Sequence, residues 1–265
     1  MSLPERGNPW EKLVRRADRL ATDDGASEPV VFYARLLRLQ SDFYRFLNEC
    51  RPTGTLESDL ESITDGGRAL LRSVATFGPE PLRRRAESFL RDPLALHGEL
   101  REYRRTRSAE LFFPKALLQP YFQWLIRAGA TGDAGVSHRP GESAERRCPW
   151  CGGSPQLVWF DPEGAGTGAR RRLLCATCLT NWPCRRVVCV ACGVEDERQL
   201  SAYSARELPH VRVDTCERCR TYIKTIDLSR LGLAEPLVDE VAAGALDVWA
   251  RERDYRKIEL NLVGL

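Results

Sequence analysis

The chain has 265 residues, 43% hydrophobic and 29% charged, with a formal net charge of +3. That length accommodates one large domain or two modest ones, and the apolar share excludes global disorder. No apolar run reaches the roughly 18–20 residues that a membrane-spanning helix needs, and the opening MSLPERGNPWEKL lacks the apolar stretch of a secretion signal, so a cytoplasmic, reducing location is expected.

Residues 1–127 read as a helical N-terminal domain. Within VVFYARLLRLQSDFYRFL, the residues Phe32, Leu36, Leu39, Phe43 and Phe46 recur at helical spacing, with Ser41 and Asp42 off that stripe. Weaker patterns predict helices over Trp10–Leu20, Leu56–Phe77, Pro81–Tyr103 and Ala109–Ala128. Pro114 and Pro120 are expected to kink or split the last of these. The aromatics Phe112, Phe113, Tyr121, Phe122 and Trp124 fit a bundle core better than a ligand pocket. Residues 128–147, rich in Gly, Ala, Ser and charge, read as a linker, and His138 within it as a solvent-exposed residue.

From Cys148 the texture changes to short β-like runs such as QLVWF, RRLLC, VRVDTC and YIKTIDL. Arg170-Arg171-Arg172 reads as a solvated strand edge. A C-terminal helix is expected over 235–253, with Pro236 in its first turn and Leu237, Val241, Leu246 and Trp249 facing the core.

Ten cysteines are present, and eight of them form four C-x-x-C pairs: Cys148/Cys151, Cys175/Cys178, Cys189/Cys192 and Cys216/Cys219. The first pair stands 41 residues before the third, the second 41 before the fourth, and 23 residues separate the pairs within each half. This is a duplicated unit, C-x2-C-x23-C-x2-C. Two residues between cysteines let a tight turn aim both sulfurs at one ion, with Pro149 pre-setting a turn dihedral and Gly152 or Gly193 supplying positive φ after the second sulfur. A hairpin in the 23-residue gap would bring the second knuckle opposite the first. Four knuckles can pair in three ways, and the duplication favours first with second and third with fourth. A tetrahedron of four thiolates has no open position for substrate, and it suits zinc and iron alike. Two metal ions, iron or zinc, are therefore expected. Of the remaining cysteines, Cys50 reads as a small core residue and Cys184 as a partly buried bystander.

The metal sites also bear on function. Eight thiolates around two divalent ions would turn the formal +3 into −1, so net basicity does not argue for nucleic acid. The three histidines, His97, His138 and His210, form no recognisable catalytic motif with a nucleophile, and no catalytic residue is assigned. His210, after Pro209, reads as a loop residue. From the residues alone, a rubredoxin-like electron carrier and a nucleic-acid-binding zinc ribbon both remain open.

CPWCG, LLCATCLTNW, Arg186, CVACG and DTCERCRTYIKTIDL together resemble the signature of the FdhE family of formate dehydrogenase accessory (maturation) proteins. The tail ALDVWARERDYRKIELNLVGL is similar to that family's C-terminal segment, and LFFPKALLQPYFQWL to its last N-terminal helices. The resemblance spans most of the chain and is densest from Cys148 to Leu228. Asn181 departs from it where an acidic residue is expected before Trp182, and Cys184 where an ordinary apolar residue is expected. The resemblance implies an α+β fold: an irregular helical N-terminal region, two tandem rubredoxin-like four-cysteine ribbons over 148–183 and 184–230, and a C-terminal helix and tail over 231–265. It implies iron or zinc at the eight cysteines and a non-enzymatic, chaperone-like role in maturation. The partner it implies is the catalytic subunit of formate dehydrogenase, bound in the cytoplasm before export.

Overall fold

The computed structural model describes residues 7–108, 110–129, 144–161 and 170–265, and in its first 129 residues apolar residues at helical spacing become six α-helices among the described residues. They are α1 (Trp10–Ala21), α2 (Glu28–Cys50), α3 (Leu56–Phe77), α4 (Glu80–Arg91), α5 (Pro93–Thr106) and α6 (Phe112–Ala128). The helix expected over 81–103 is two helices. Asp92 leaves helical geometry at φ −129°, ψ 88°, as a residue preceding proline tends to. Its carboxylate then accepts from the N–H groups of Leu94 (3.1 Å) and Ala95 (3.3 Å), starting α5.

The buried arc of α2 is wider than one stripe because α1, α3 and α6 all pack on it. Ser41, expected off the stripe, is buried and its hydroxyl accepts from Asn8 Nδ2 at 2.8 Å. Asp42 is exposed. Cys50 ends α2 but is exposed, so it is not a core residue.

Helix α6 runs unbroken through both prolines. Pro114 lies in the first turn, where an N–H has no intrahelical partner. Pro120 should orphan the carbonyl four residues back, that of Ala116. The buried Gln40 of α2 donates its Nε2 to that carbonyl at 2.8 Å. A side chain 76 positions away in sequence thus supplies the hydrogen bond the proline removes. Phe113, Tyr121 and Phe122 are buried, as expected of a core.

Among the described residues the cysteine-rich part forms one seven-stranded sheet. Its strands are β1 (Pro155–Asp161), β2 (Arg170–Cys175), β3 (Asn181–Pro183), β4 (Leu200–Ser204), β5 (Val211–Cys216), β6 (Thr221–Asp227) and β7 (Arg256–Lys257). Strands β2 and β5 occupy matching positions of the 41-residue repeat. Each is the middle strand of an antiparallel meander, β1-β2-β3 and β4-β5-β6. The meanders join through a parallel pairing of β1 with β6, from Leu157↔Lys224 to Phe160↔Asp227, giving the order β3-β2-β1-β6-β5-β4. Strand β3 lies at one edge and ends on Pro183, which has no N–H to offer a ladder. Because β2 is interior, the Arg170–Arg172 run is not a solvated edge. Arg171 is buried and donates to the carbonyls of Arg185 (2.8 Å) and Val188 (3.3 Å).

The expected C-terminal helix is two short helices, α7 (Pro236–Ala242) and α8 (Gly244–Arg251). Ala243 between them, at φ −86°, ψ 33°, leaves helical geometry. Leu246, Ala243, Ala250 and Tyr255 pack on Val211, Val213, Tyr222 and Ile226 of the sheet, with Trp249 partly buried beside them. Beneath α7 and α8 lies a buried charge network. Lys224 and Lys257 each pair with both Glu240 and Asp247, and all four side chains are at most 1% exposed. Asn261 donates to Glu240 at 2.8 Å and the Tyr222 hydroxyl to Asp247 at 2.8 Å. Two cations against two anions leave no net charge, and the added hydrogen bonds are what such a burial requires.

The chain divides into two compact units, Met1–Thr106 with Leu111–Asp133, and Arg107–Glu110 with Ala134–Leu265. Among the described residues, no helix is long and apolar enough to cross a membrane.

Candidate metal centres

Each meander brings two knuckles together. In the first, Cys148 and Cys151 precede β1, Cys175 closes β2 and Cys178 lies in the turn beyond it. In the second, Cys189 and Cys192 precede β4, Cys216 closes β5 and Cys219 lies in the turn before β6. The structure gathers the eight sulfurs into two groups, Cys148/Cys151/Cys175/Cys178 and Cys189/Cys192/Cys216/Cys219, with every sulfur of a group within 4.8 Å of the others. Of the three pairings open to the knuckles, this is the one the duplication favours.

The turns that aim the sulfurs are alike. The residue after the second cysteine of every knuckle has positive φ: Gly152 (70°), Leu179 (57°), Gly193 (80°) and Arg220 (53°). Its N–H donates back to the carbonyl of the first cysteine, at 2.8 Å for Gly152 to Cys148 and for Gly193 to Cys189. The N–H of Cys148 in turn reaches the carbonyl of Gly153 (3.0 Å), and that of Cys189 the carbonyl of Val194 (2.8 Å). Glycine meets the left-handed geometry at no steric cost, whereas Leu179 and Arg220 bear it for the sake of the turn.

The donor set fits a metal ion. Four sulfurs about 2.3 Å from a central zinc would stand about 3.8 Å apart. In the second group Cys189 and Cys219 are 3.7 Å apart, and Cys192 and Cys216 3.8 Å. In the first the corresponding separations are 3.4 and 3.5 Å, a tighter arrangement. Hydrogen bonds from Cys151, Cys175 and Cys178 push the Cys148 thiol towards ionisation, while burial pushes Cys175 and Cys178 well away from it. In the second group burial pushes Cys216 up to about 12. Burial also opposes ionisation of Cys219, but hydrogen bonds from Thr221, Cys216 and Cys192 outweigh it and bring that thiol to about 7. Thiols divided in this way share too little positive charge among them, and a cation at the centre would let all four ionise. Either group can hold one metal ion.

Three features near the cysteines went unread in the sequence. Thr180 and Thr221, 41 residues apart, each place a hydroxyl by the last sulfur of a group, 3.2 Å from Cys178 and 3.0 Å from Cys219. Such contacts orient a thiolate and moderate its charge. Arg171 and Arg212 are equivalent in the repeat, and both pair with Asp214, at 3.7 and 2.8 Å. Gly153 is packed so closely that a Cβ would lie 2.9 Å from Cys175 Sγ. Superposing the two halves at an offset of 41 exposes the threonines and arginines as identical positions.

Cys184 belongs to neither group; it is half-buried, and Arg171 Nη1 donates to its sulfur at 3.5 Å. Asn181 accepts from Arg172 Nε at 2.8 Å. His97 Nε2 contacts Thr64 Oγ1 at 2.9 Å, and His210, in the turn before β5, is buried with Nε2 2.9 Å from Asp239. His138 lies outside the described residues.

A helical region followed by two meanders, each closed by four cysteines, defines a tandem four-cysteine ribbon protein. Residues 187–263 match the family model "FdhE, C-terminal domain". The Protein FdhE homolog of Aquifex aeolicus (strain VF5) is 38% identical over 117 residues, 44% of this chain and 41% of that protein. The Protein FdhE homolog of Pseudomonas putida is 30% identical over 156 residues, 57% of this chain and 47% of that protein. The matched segments thus span less than half of these relatives. The crystal structure of the FdhE protein from Pseudomonas aeruginosa shares the fold, with a TM-score of 0.69 at 22% identity over 97% of this chain and 95% of that one. These findings support the FdhE family, in agreement with the resemblance carried by the cysteine-rich segment.

Proposed function

We propose that the chain is a metal-binding accessory protein in the maturation of formate dehydrogenase, acting without catalysis of its own. In this reading the eight cysteines ligate two ions, iron or zinc, and the protein binds the catalytic subunit of that enzyme in the cytoplasm before export. The observation that carries it is the pair of four-sulfur groups, in a chain with the FdhE fold and an FdhE C-terminal domain match. The division into a helical domain to residue 127, a linker to 147, ribbons to 183 and 230 and a C-terminal segment belongs to the same proposal. A pull-down with the tagged full chain tests the partner. Enrichment of the formate dehydrogenase catalytic subunit over an unrelated molybdenum oxidoreductase is expected, and equal recovery of both would count against the role.

A second reading, an electron carrier, is favoured by one observation: Cys192 and Cys219 of the second group are only half-buried. Four-thiolate iron exposed on one side can exchange electrons with a docked partner. Protein purified without oxygen would then contain iron and bleach reversibly on reduction. Zinc in both sites would exclude this reading and leave the accessory role intact.

A further inference from the structure

The two four-cysteine groups have the same ligands and the same turns but different surroundings. All four cysteines of the first are buried, between 0% and 2% exposed. Gly153 stands where any side chain would press on Cys175 and Cys151, at 2.9 and 3.2 Å from their sulfurs. Its sulfurs are also the closer set, and the Thr177 N–H donates to Cys175 Sγ at 3.4 Å. In the second group Cys192 and Cys219 are half-buried, and Val194 occupies the position of Gly153. A cavity of about 190 Å³ opens beside it, with Cys189, Cys216, Leu200 and Ile223 in its wall.

We propose that the second four-cysteine site is an exchange site, which yields its metal ion to small chelating ligands and takes it back, while the first site keeps its own. The proposal rests on the reading above that both groups hold metal. Exchange at a four-thiolate ion needs an incoming donor to reach the metal before all four sulfurs have left. In the first site the shell is closed by side chains and by the absence of space at Gly153. In the second, the exposed edge at Cys192 and Cys219 and the cavity at Cys189 and Cys216 give an incoming ligand two directions of approach. The reaction is a substitution with no change of oxidation state. Each metal–sulfur bond that breaks is replaced by a bond from metal to chelator, and each freed thiolate takes a proton from water.

The test uses the full chain loaded with zinc. Native mass spectrometry first gives the ion count, and excess EDTA is then added with pulses of iodoacetamide to mark freed thiols. A one-ion species should accumulate, with label on Cys189, Cys192, Cys216 and Cys219, and the second ion should leave at least about tenfold more slowly. Loss of both ions together, or first label on Cys148, Cys151, Cys175 and Cys178, would overturn the exchange proposal and leave the two-metal reading standing. Fewer than two ions at the start would overturn both. The Cys219→Ser variant provides a second measurement: it should retain one ion, in the first site, and loss of both would contradict the independence of the sites.

Discussion

The first ribbon and the second are copies of one repeat that differ in the burial of their cysteines and in their third strands. In the first, the knuckles are sealed and the third strand, β3, is a three-residue edge ended by Pro183. In the second, the knuckles are half-open and the third strand, β6, runs for seven residues between neighbours on both sides. The closed site therefore belongs to the ribbon with the shorter third strand, and the open site to the ribbon with the longer one. If each group holds an ion, the ion is the first ribbon's main support, while the second also supplies Val211, Val213, Tyr222 and Ile226 to the apolar packing under α7 and α8 and Lys224 to the charge network. On the exchange proposal, duplication of a unit lets one copy specialise in stability and the other in access.

The largest effect that could break this contrast is loss of a ligand. Cys175→Ser should remove one ion and destabilise the sheet by about 5 kcal/mol, a large part of the roughly 5–15 kcal/mol stability of a domain. Cys219→Ser should also cost one ion but less stability, because the second ribbon has other support. Thermal melting followed by circular dichroism compares them, and equal losses would erase the distinction. Next in size, Lys224→Met leaves Glu240 and Asp247 with one cation between them in a buried site, at a cost of about 3–5 kcal/mol. Denaturant unfolding of the metal-loaded chain would read it.

Acid probes the same support. Burial works against the Glu240 carboxylate, but Lys224, Lys257 and Asn261 hold its value at about 2, below the ordinary 4.5. A depressed carboxyl contributes stability above its unfolded value and loses it as pH falls through the folded one. About 3 kcal/mol should therefore disappear between pH ~4.5 and ~2. Thiolate protonation adds to acid loss in the loaded protein, so the difference between wild type and Glu240→Gln isolates this contribution. The smallest effect sharpens the contrast at the metal. Gly153→Ala should cost about 1–3 kcal/mol by crowding Cys175 and Cys151, whereas Val194→Gly, the reciprocal change, should loosen only the second site. Melting curves of the two variants check both expectations.

What the sequence made legible follows from how local each cause is. The knuckles, their pairing and the left-handed glycines at 152 and 193 depend on neighbours a few residues apart and on an exact repeat. Helix α3 matched its expected span for the same reason. The parallel β1–β6 junction depends on residues some 67 positions apart, as with Leu157 and Lys224, and nothing local announces it. Lys224 sits in a strand where a charged residue suggests an exposed face, and its burial is intelligible only once Glu240, Asp247 and Lys257 are in place. The unbroken α6 is of the same kind: Pro120 suggests a split helix, and Gln40 from another helix supplies the hydrogen bond that Ala116 would otherwise lack. Cys50 failed by the opposite route, since a cysteine at a helix end has no local feature that fixes which way it faces.

The two-ion reading is most directly tested by the mass of the intact protein, purified without oxygen and sprayed under native conditions. The predicted mass is that of the reduced chain plus two divalent metal ions less four protons, two for each ion by charge balance, with no disulfides formed. A chain carrying no ion, or with its knuckle cysteines joined as disulfides, would contradict it.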